Sequence, residues 1–139
     1  MRQGARRDFM SKSLWNSLVI ATLLIPTISV GAMEVIAQSY GAIARSPTTQ
    51  DKGYSWNYRT RAAAENRALQ ECDSISYAGD CEILIWTRNA CMSIAESRNG
   101  AAGTAWSTDE YEAESTAREV CHDYGGRNCT ITRTICLPY

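Results

Sequence analysis

Large aromatic core residues are scarce in this chain. Its single phenylalanine, Phe9, lies close to the amino terminus, and aromatic residues make up 9% of the 139 residues. A core of packed phenylalanine rings is therefore excluded. The chain must rely on tryptophan, tyrosine and short aliphatic residues, which is a thin core for a domain of this size.

Histidine and close cysteine pairs are also lacking. His122 is the only histidine, and no C-x2-C or C-x2-H spacing occurs. Zinc ligands usually come in such close pairs, so the spacing argues against a metal site. No glycine-rich phosphate-binding motif is present either. We therefore expect neither a metal nor another cofactor.

The first 37 residues have the pattern of a secretory signal peptide. Four basic residues precede an apolar stretch from Leu14 to Ala32, and small residues then offer a cleavage site after Ala37, with Ala32 as a second choice. A membrane anchor is the alternative, but Pro26 and the polar residues inside the stretch count against it. The sequence therefore predicts export.

Cleavage there leaves one small domain, residues 38–139. The leader takes four of the 14 Lys and Arg residues and two of the 15 Asp and Glu residues, which leaves 10 basic and 13 acidic residues and a net charge of −3. A mildly acidic domain lacks the basic surface that binds nucleic acid or anionic membranes. The expected partner is another protein.

All six cysteines lie in this domain, and an even count in a small exported domain is typical of a disulfide framework. Each bridge contributes about 2–4 kcal/mol, which would compensate for the thin core. The cysteines are Cys72, Cys81, Cys91, Cys121, Cys129 and Cys136.

The domain repeats itself, with one copy over residues 40–91 and another over 91–136. Trp56 matches Trp106 at an offset of 50, and Cys72 matches Cys121 at an offset of 49. Each copy reads as two short strands, an Ala-rich helix and a β-branched third strand. The predicted fold is α+β: two pseudo-symmetric ββαβ repeats form an antiparallel sheet with two packed helices, stapled by disulfides.

Two further details follow from the repeat. Thr60 is expected to cap the first helix, and Ser107 with Glu110 fits a capping box for the second. If equivalent cysteines pair alike, the bridges are Cys72–Cys81, Cys121–Cys129 and Cys91–Cys136. The alternative exchanges partners across the pseudo-symmetry axis.

The segments YGAIARSP, GYSWNYRTRAAAENRAL and CEILIWTRNAC resemble the signature segments of the bacterial domain-of-unknown-function 4189 family, over roughly residues 40–136. The resemblance implies a small exported protein with paired cysteines. It further implies the role of a periplasmic immunity protein against the toxins of rival bacteria, or of a secreted host-directed factor. It assigns no role to individual residues.

The catalytic candidates are few. His122 follows Cys121 at the predicted end of the second helix, where an imidazolium suits the helix dipole. Four acids cluster at the start of that helix, where the dipole also favours negative charge, but a glycosidase-like carboxylate pair there is a second interpretation. These acids are Asp109, Glu110, Glu112 and Glu114.

The binding candidates are aromatic and basic. Trp56, Trp86 and Trp106 are predicted to pack in the core. Arg88 and Asn89 leave the third strand in a loop closed by Cys91, and arginine binds carboxylates or phosphates in a bidentate manner. A second Tyr/Arg-rich surface, where such residues favour protein contacts, contains Tyr54, Tyr58 and Arg59, with Arg61 close by.

The sequence thus predicts an exported, non-enzymatic protein-binding module, such as a periplasmic immunity protein or inhibitor. Its expected contact residues are Tyr54, Tyr58, Arg59, Arg88 and Asn89. The alternatives are a small secreted hydrolase that acts on envelope polysaccharide and a secreted host-directed effector.

Overall fold

A computed structural model of the protein describes residues 37–139. The predicted leader, except for its last residue, lies outside the described residues. The strands are β1 (Tyr40–Arg45), β2 (Lys52–Tyr58), β3 (Glu82–Arg88), β4 (Cys91–Glu96), β5 (Ala102–Ser107) and β6 (Thr130–Cys136). The helices are α1 (Arg61–Ser76) and α2 (Glu110–Asp123). Neither of these two helices is long and apolar enough to cross a membrane.

The predicted α+β architecture of two ββαβ repeats is confirmed, and each repeat forms a sheet of its own. The strand orders are β2-β1-β3 and β5-β4-β6, and all neighbours are antiparallel. The central strands, β1 and β4, have both edges paired within their own repeat. The repeats therefore meet face to face, as two three-stranded sheets, and do not join edge to edge into a single sheet.

Each helix packs on the outer face of its own sheet through small residues. Ala64 and Ala68 of α1 are fully buried, as are Ala113 and Ala117 of α2. The helix backbone comes so close that a Cβ atom built on Gly53 would lie 1.9 Å from the Ala68 carbonyl oxygen. Small side chains on both surfaces therefore set the distance between helix and sheet, which compensates for the scarcity of bulky residues.

The inner faces of the two sheets enclose the main aliphatic core. Side chains alternate between the faces of a strand, so Ile43 points away from α1 while its neighbours in β1, Ala42 and Ala44, pack against that helix. The layers therefore run helix, sheet, sheet, helix. The buried residues between the sheets are Ile43, Met92, Ile94, Ile135 and Leu137.

Equivalent residues of the two repeats meet across this interface. Gly41, Ile43 and Arg45 correspond to Met92, Ile94 and Glu96 at a constant offset of 51. A Cβ on Gly41 would lie 2.7 Å from the Met92 Cε atom, and Arg45 Nε donates to Glu96 Oε1 at 3.1 Å. A small residue thus faces a large one, and a cation faces an anion, along a pseudo-twofold axis between β1 and β4.

The prediction that all three tryptophans pack in the core is wrong. Trp56 and Trp106 are 47% and 61% exposed, and Trp86 is 37% exposed. On β2 and β5 the small residues face the helix, so Trp56 and Trp106, which alternate with them, lie on the other face. Both strands are edge strands, where that face has less cover from the opposing sheet.

One helix cap agrees with the sequence and the other differs. Thr60 caps α1, and its hydroxyl accepts from the Ala63 N–H at 3.2 Å. At α2 the predicted capping box of Ser107 and Glu110 is wrong, because the cap is Asp109, which accepts from the Glu112 N–H at 2.9 Å. Strand β5 runs through Ser107, so the helix begins two residues later.

The disulfides have the pairing that the repeat predicts. Cys72 bridges to Cys81, Cys121 to Cys129 and Cys91 to Cys136. Every bridge therefore lies within one repeat, and the contact between the two sheets is entirely non-covalent. Such a density of bridges in a small domain is typical of a protein exported to an oxidising compartment.

We expect the three bridges to stabilise unequally. Replacing Cys91 and Cys136 by alanine should cost about 4 kcal/mol, because that bridge closes a loop of 45 residues, whereas the nine-residue loop of Cys72–Cys81 corresponds to about 3 kcal/mol. Urea denaturation of the paired Cys→Ala variants measures this. The Cys121–Cys129 variant, with a loop of eight residues, is the matched control for Cys72–Cys81; a reversed order would contradict the prediction.

Candidate functional site

A groove runs along edge strand β3 and takes residues from the sheets of both repeats. Its volume is about 590 Å³. We call it the β3 groove, and its lining residues are Tyr40, Leu84, Ile85, Trp86, Thr87, Arg88 and Trp106. Trp106 comes from β5 of the second repeat, whereas the other six come from β1 and β3 of the first. The groove is thus a product of the face-to-face packing.

Its aromatic surface is held in place by neighbouring side chains. The rings of Tyr40 and Trp86 have centroids 6.4 Å apart. The Arg61 guanidinium, at the first turn of α1, lies 4.2 Å from the centroid of the Trp86 ring in a cation–π contact. The position of the Trp86 ring is therefore fixed on one side before any ligand binds.

The predicted residues Arg88 and Asn89 have different environments. Arg88 is exposed, lines the β3 groove and is part of no ion pair between residues 37 and 139. Asn89 adopts a positive φ of 49°. Its side-chain oxygen accepts from the Ser39 N–H at 2.8 Å, and its own N–H donates to the Ser39 carbonyl at 3.0 Å. Asn89 thus fixes the turn that presents Arg88.

The other predicted contact residues lie away from this groove. Tyr54 and Tyr58 line a smaller cleft of about 260 Å³ on β2, together with Trp56, Arg67 and Glu71. Strands β2 and β3 are opposite edges of the first sheet. Arg59 is exposed and lines neither cleft. The five residues proposed from the sequence therefore do not form one site.

Tyr54 is a packing residue as well as a cleft residue. It contacts the aliphatic core between the sheets, and the Arg133 guanidinium lies 5.3 Å from its ring centroid. Burial, with a smaller contribution from the negative charge of Glu96, raises the pKa of Tyr54 to about 12. Its hydroxyl therefore stays neutral throughout the physiological range.

The acids at the start of α2 have local structural partners. Asp109 caps the helix, Glu112 accepts from the Ser107 hydroxyl at 2.6 Å, and Glu114 accepts from the Thr134 hydroxyl at 2.9 Å. Glu110 is exposed. None of the clefts described in this section contains any of them. The arrangement gives no support to a glycosidase-like pair.

His122 also has a local partner. Its Nδ1 atom lies 2.9 Å from the Gly126 carbonyl oxygen, just beyond the end of α2. Cys121, next to it, is oxidised in a bridge and offers no thiolate. Within residues 37–139, no three histidine, cysteine or acidic side chains are grouped as metal ligands would be.

Sequence reasoning missed Trp106 and Tyr40 as groove residues. The signal for Trp106 was present in the sequence: Gly103 and Ala105 alternate with it, and such small residues suit the face that meets a helix. The tryptophan must then lie on the opposite face. Which part of that face stays uncovered depends on where the second sheet sits, which the alternation does not reveal.

Comparison with known proteins bears on the fold and the family. The NMR structure of Rv1813c from Mycobacterium tuberculosis has the same fold, with a TM-score of 0.52 and 24% sequence identity, over 96% of this chain and 99% of that chain. At that identity the likeness shows the fold alone. A search of curated proteins finds no significant match. The family profile for a domain of unknown function, DUF4189, matches residues 40–136, and the chain therefore belongs to this family.

Proposed function

We propose that this protein is an exported, non-enzymatic protein-binding module, and that its β3 groove holds an extended segment of another protein. The role is that of a periplasmic immunity protein or inhibitor. The observation that carries the proposal is that Trp106, which is 61% exposed, and Trp86 line one groove along a strand edge with no neighbour in its sheet.

The groove has the composition of a protein-contact surface. Tryptophan, tyrosine and arginine supply most of the binding energy at protein interfaces, and Trp86, Trp106, Tyr40 and Arg88 all line it. Contiguous exposed apolar surface marks sites of protein contact, and the two tryptophans share one groove. The contact between Arg61 and Trp86 holds the Trp86 ring in place, so ordering this ring on binding costs little conformational entropy.

The free edge of β3 favours an extended occupant. β3 pairs with β1 on one side only, so the backbone groups on its other side are available to an added strand. A peptide that binds in this way gains main-chain hydrogen bonds, and its alternate side chains enter the flanking groove. We expect an apolar side chain against Trp106 and a carboxylate opposite Arg88.

A comparison of two aromatic variants tests the proposal. The immobilised, oxidised protein is exposed to periplasmic extract, and Trp106→Ala should weaken capture of the partner by about thirtyfold, since a central tryptophan contributes about 2 kcal/mol or more. Tyr111→Ala is the control, because Tyr111 is an aromatic residue of α2 that is 76% exposed and lines neither cleft. Equal losses in the two variants, or no stoichiometric partner for the native protein from several growth states, would contradict the proposal.

The location of the protein distinguishes two roles for the same groove. Recovery from the periplasm supports the immunity or inhibitor role, whereas recovery from the culture medium supports a secreted, host-directed effector. The polysaccharide hydrolase has no comparable support, because Asp109, Glu112 and Glu114 bind partners within their own repeat. Glu110 lines neither the β3 groove nor the cleft on β2. The Tyr54, Tyr58 and Arg59 surface remains a prediction for a second contact.

A further inference from the structure

A polar cleft lies at the opposite end of the sheets from the β3 groove. Its volume is about 460 Å³, and it lies between the β4–β5 turn and the α2–β6 loop. We call it the second-repeat cleft, and its lining residues are Glu96, Ser97, Arg98, Asn99, Arg127, Asn128 and Thr130. The proposed function uses none of them.

The first repeat shows what the equivalent loops hold there. The Ser46 hydroxyl donates to Asp80 Oδ1 at 2.5 Å, and the Thr48 N–H donates to Asp80 Oδ2 at 3.2 Å. These hydrogen bonds lower the pKa of Asp80. A carboxylate supplied by the chain itself therefore joins the two loops of the first repeat.

The second repeat lacks that carboxylate, and the Ser97 hydroxyl donates to the Arg127 carbonyl oxygen and accepts from the Arg127 N–H instead. It also gains positive charge. Ser97 matches Ser46, since each directly follows its central strand, and Asn128 matches Asp80, since each directly precedes the second cysteine of its helix–loop bridge. By the same alignment, Arg98 and Arg127 stand where the first repeat has Pro47 and Gly79. The loop pair of the first repeat carries two negative charges, Asp51 and Asp80, whereas the loop pair of the second repeat carries two positive ones.

These two guanidinium groups are available to a ligand. Arg98 and Arg127 are exposed and form no ion pair in the part of the chain that the structure describes. The one acid in the lining, Glu96, is bound by Arg45 and Lys52. The acid is therefore neutralised, and the cleft is cationic although the domain as a whole is acidic.

We propose that the second-repeat cleft, in which two guanidinium groups replace the acids of the first repeat, binds a carboxylate from outside the chain. Arg98 and Arg127 hold its oxygens, as arginine does in bidentate pairs. The same chemistry is offered by an acidic side chain of a partner protein and by a free polycarboxylate.

Titration of the oxidised protein with citrate and, separately, with a hexaglutamate peptide tests this. The readout is the change in backbone amide and arginine Nε–H chemical shifts at low ionic strength. We expect saturable shifts at Ser97, Arg98, Arg127 and Asn128. Saturation by the peptide alone identifies a partner's acidic segment as the source, whereas saturation by citrate as well identifies free polycarboxylates.

Two variants with matched controls decide the outcome. Arg98→Ala with Arg127→Ala should weaken binding at least about tenfold, and Arg67→Ala with Arg118→Ala, which removes the same charge from the helix surfaces, should not. Asn128→Asp restores the internal carboxylate and should also weaken binding about tenfold, unlike Asn66→Asp on exposed α1. No saturable shift in the native protein, or equal effects of variants and controls, would overturn the proposal.

Discussion

Replacing Arg45 by glutamate is expected to lower the unfolding free energy by about 3–5 kcal/mol, and adding Glu96→Arg is expected to restore much of the loss. The two side chains are only 10% and 14% exposed and lie 3.1 Å apart between the sheets. A single reversal leaves two like charges facing each other where water cannot screen them. The exchange of both restores an ion pair in the same place.

Glu96 has more polar partners than Arg45 has. Burial opposes its charge, but hydrogen bonds from Lys52 and Thr132, together with the charges of Lys52 and Arg45, outweigh burial and lower the pKa of Glu96. Glu96→Arg alone would place three cations together. It should therefore be at least as damaging as Arg45→Glu alone.

Urea denaturation of the two single variants and the double variant measures the coupling. The control is the exposed helix pair of Arg67 and Glu71, whose arginine side chain is 47% exposed; exchange of its charges should change stability by less than about 0.5 kcal/mol. The double variant could instead lose as much unfolding free energy as the two single variants together. That result would show that the pairing of equivalent residues across the axis does not hold the sheets together.

Gly53→Ala and Gly103→Ala are each expected to cost about 3 kcal/mol or more. The added methyl group would lie 1.9 Å from the Ala68 carbonyl oxygen in the first repeat, and 2.1 Å from the Cys121 nitrogen in the second. Both neighbours are helix backbone, which cannot turn aside as a flexible side chain can. The helix must move off the sheet, and the buried alanines lose their packing.

Thermal or urea unfolding tests this, with Gly79→Ala as the control. Gly79 has a positive φ of 68° but open space around its Cβ position, so alanine there should cost about 1 kcal/mol through backbone strain alone. A loss at Gly53 no larger than the loss at Gly79 would show that the close approach of helix and sheet does not limit stability.

The repeat made much of the fold predictable. The β-branched third strand expected in each copy is present as β3 at Glu82–Arg88 and β6 at Thr130–Cys136. The bridge pattern followed from the requirement that Cys72–Cys81 and Cys121–Cys129 be twins. Equivalent cysteines in two copies of one unit are expected to pair alike. The two copies together therefore favour one disulfide pairing where a single copy leaves several open.

The candidate sites were harder to predict from the sequence than the fold was. Arg88 was proposed from its position at a strand exit, and it does line the β3 groove. Tyr54 and Tyr58 share no cleft with Arg88, because β1 separates β2 from β3. The second-repeat cleft was overlooked, since Arg98 and Arg127 are 29 positions apart and only the packed loops bring them together.

The order of residues along the chain was enough to predict two ββαβ units and to favour the bridge pattern that the structure has. These features depend on local periodicity and on equivalence between the copies. Tertiary structure alone decided that each unit forms a separate sheet and that the sheets stack with Arg45 against Glu96. It also decided that Trp106 stays in water beside β3. Alternation assigns a side chain to one face of a strand, but only the placement of the other sheet determines which part of that face is covered.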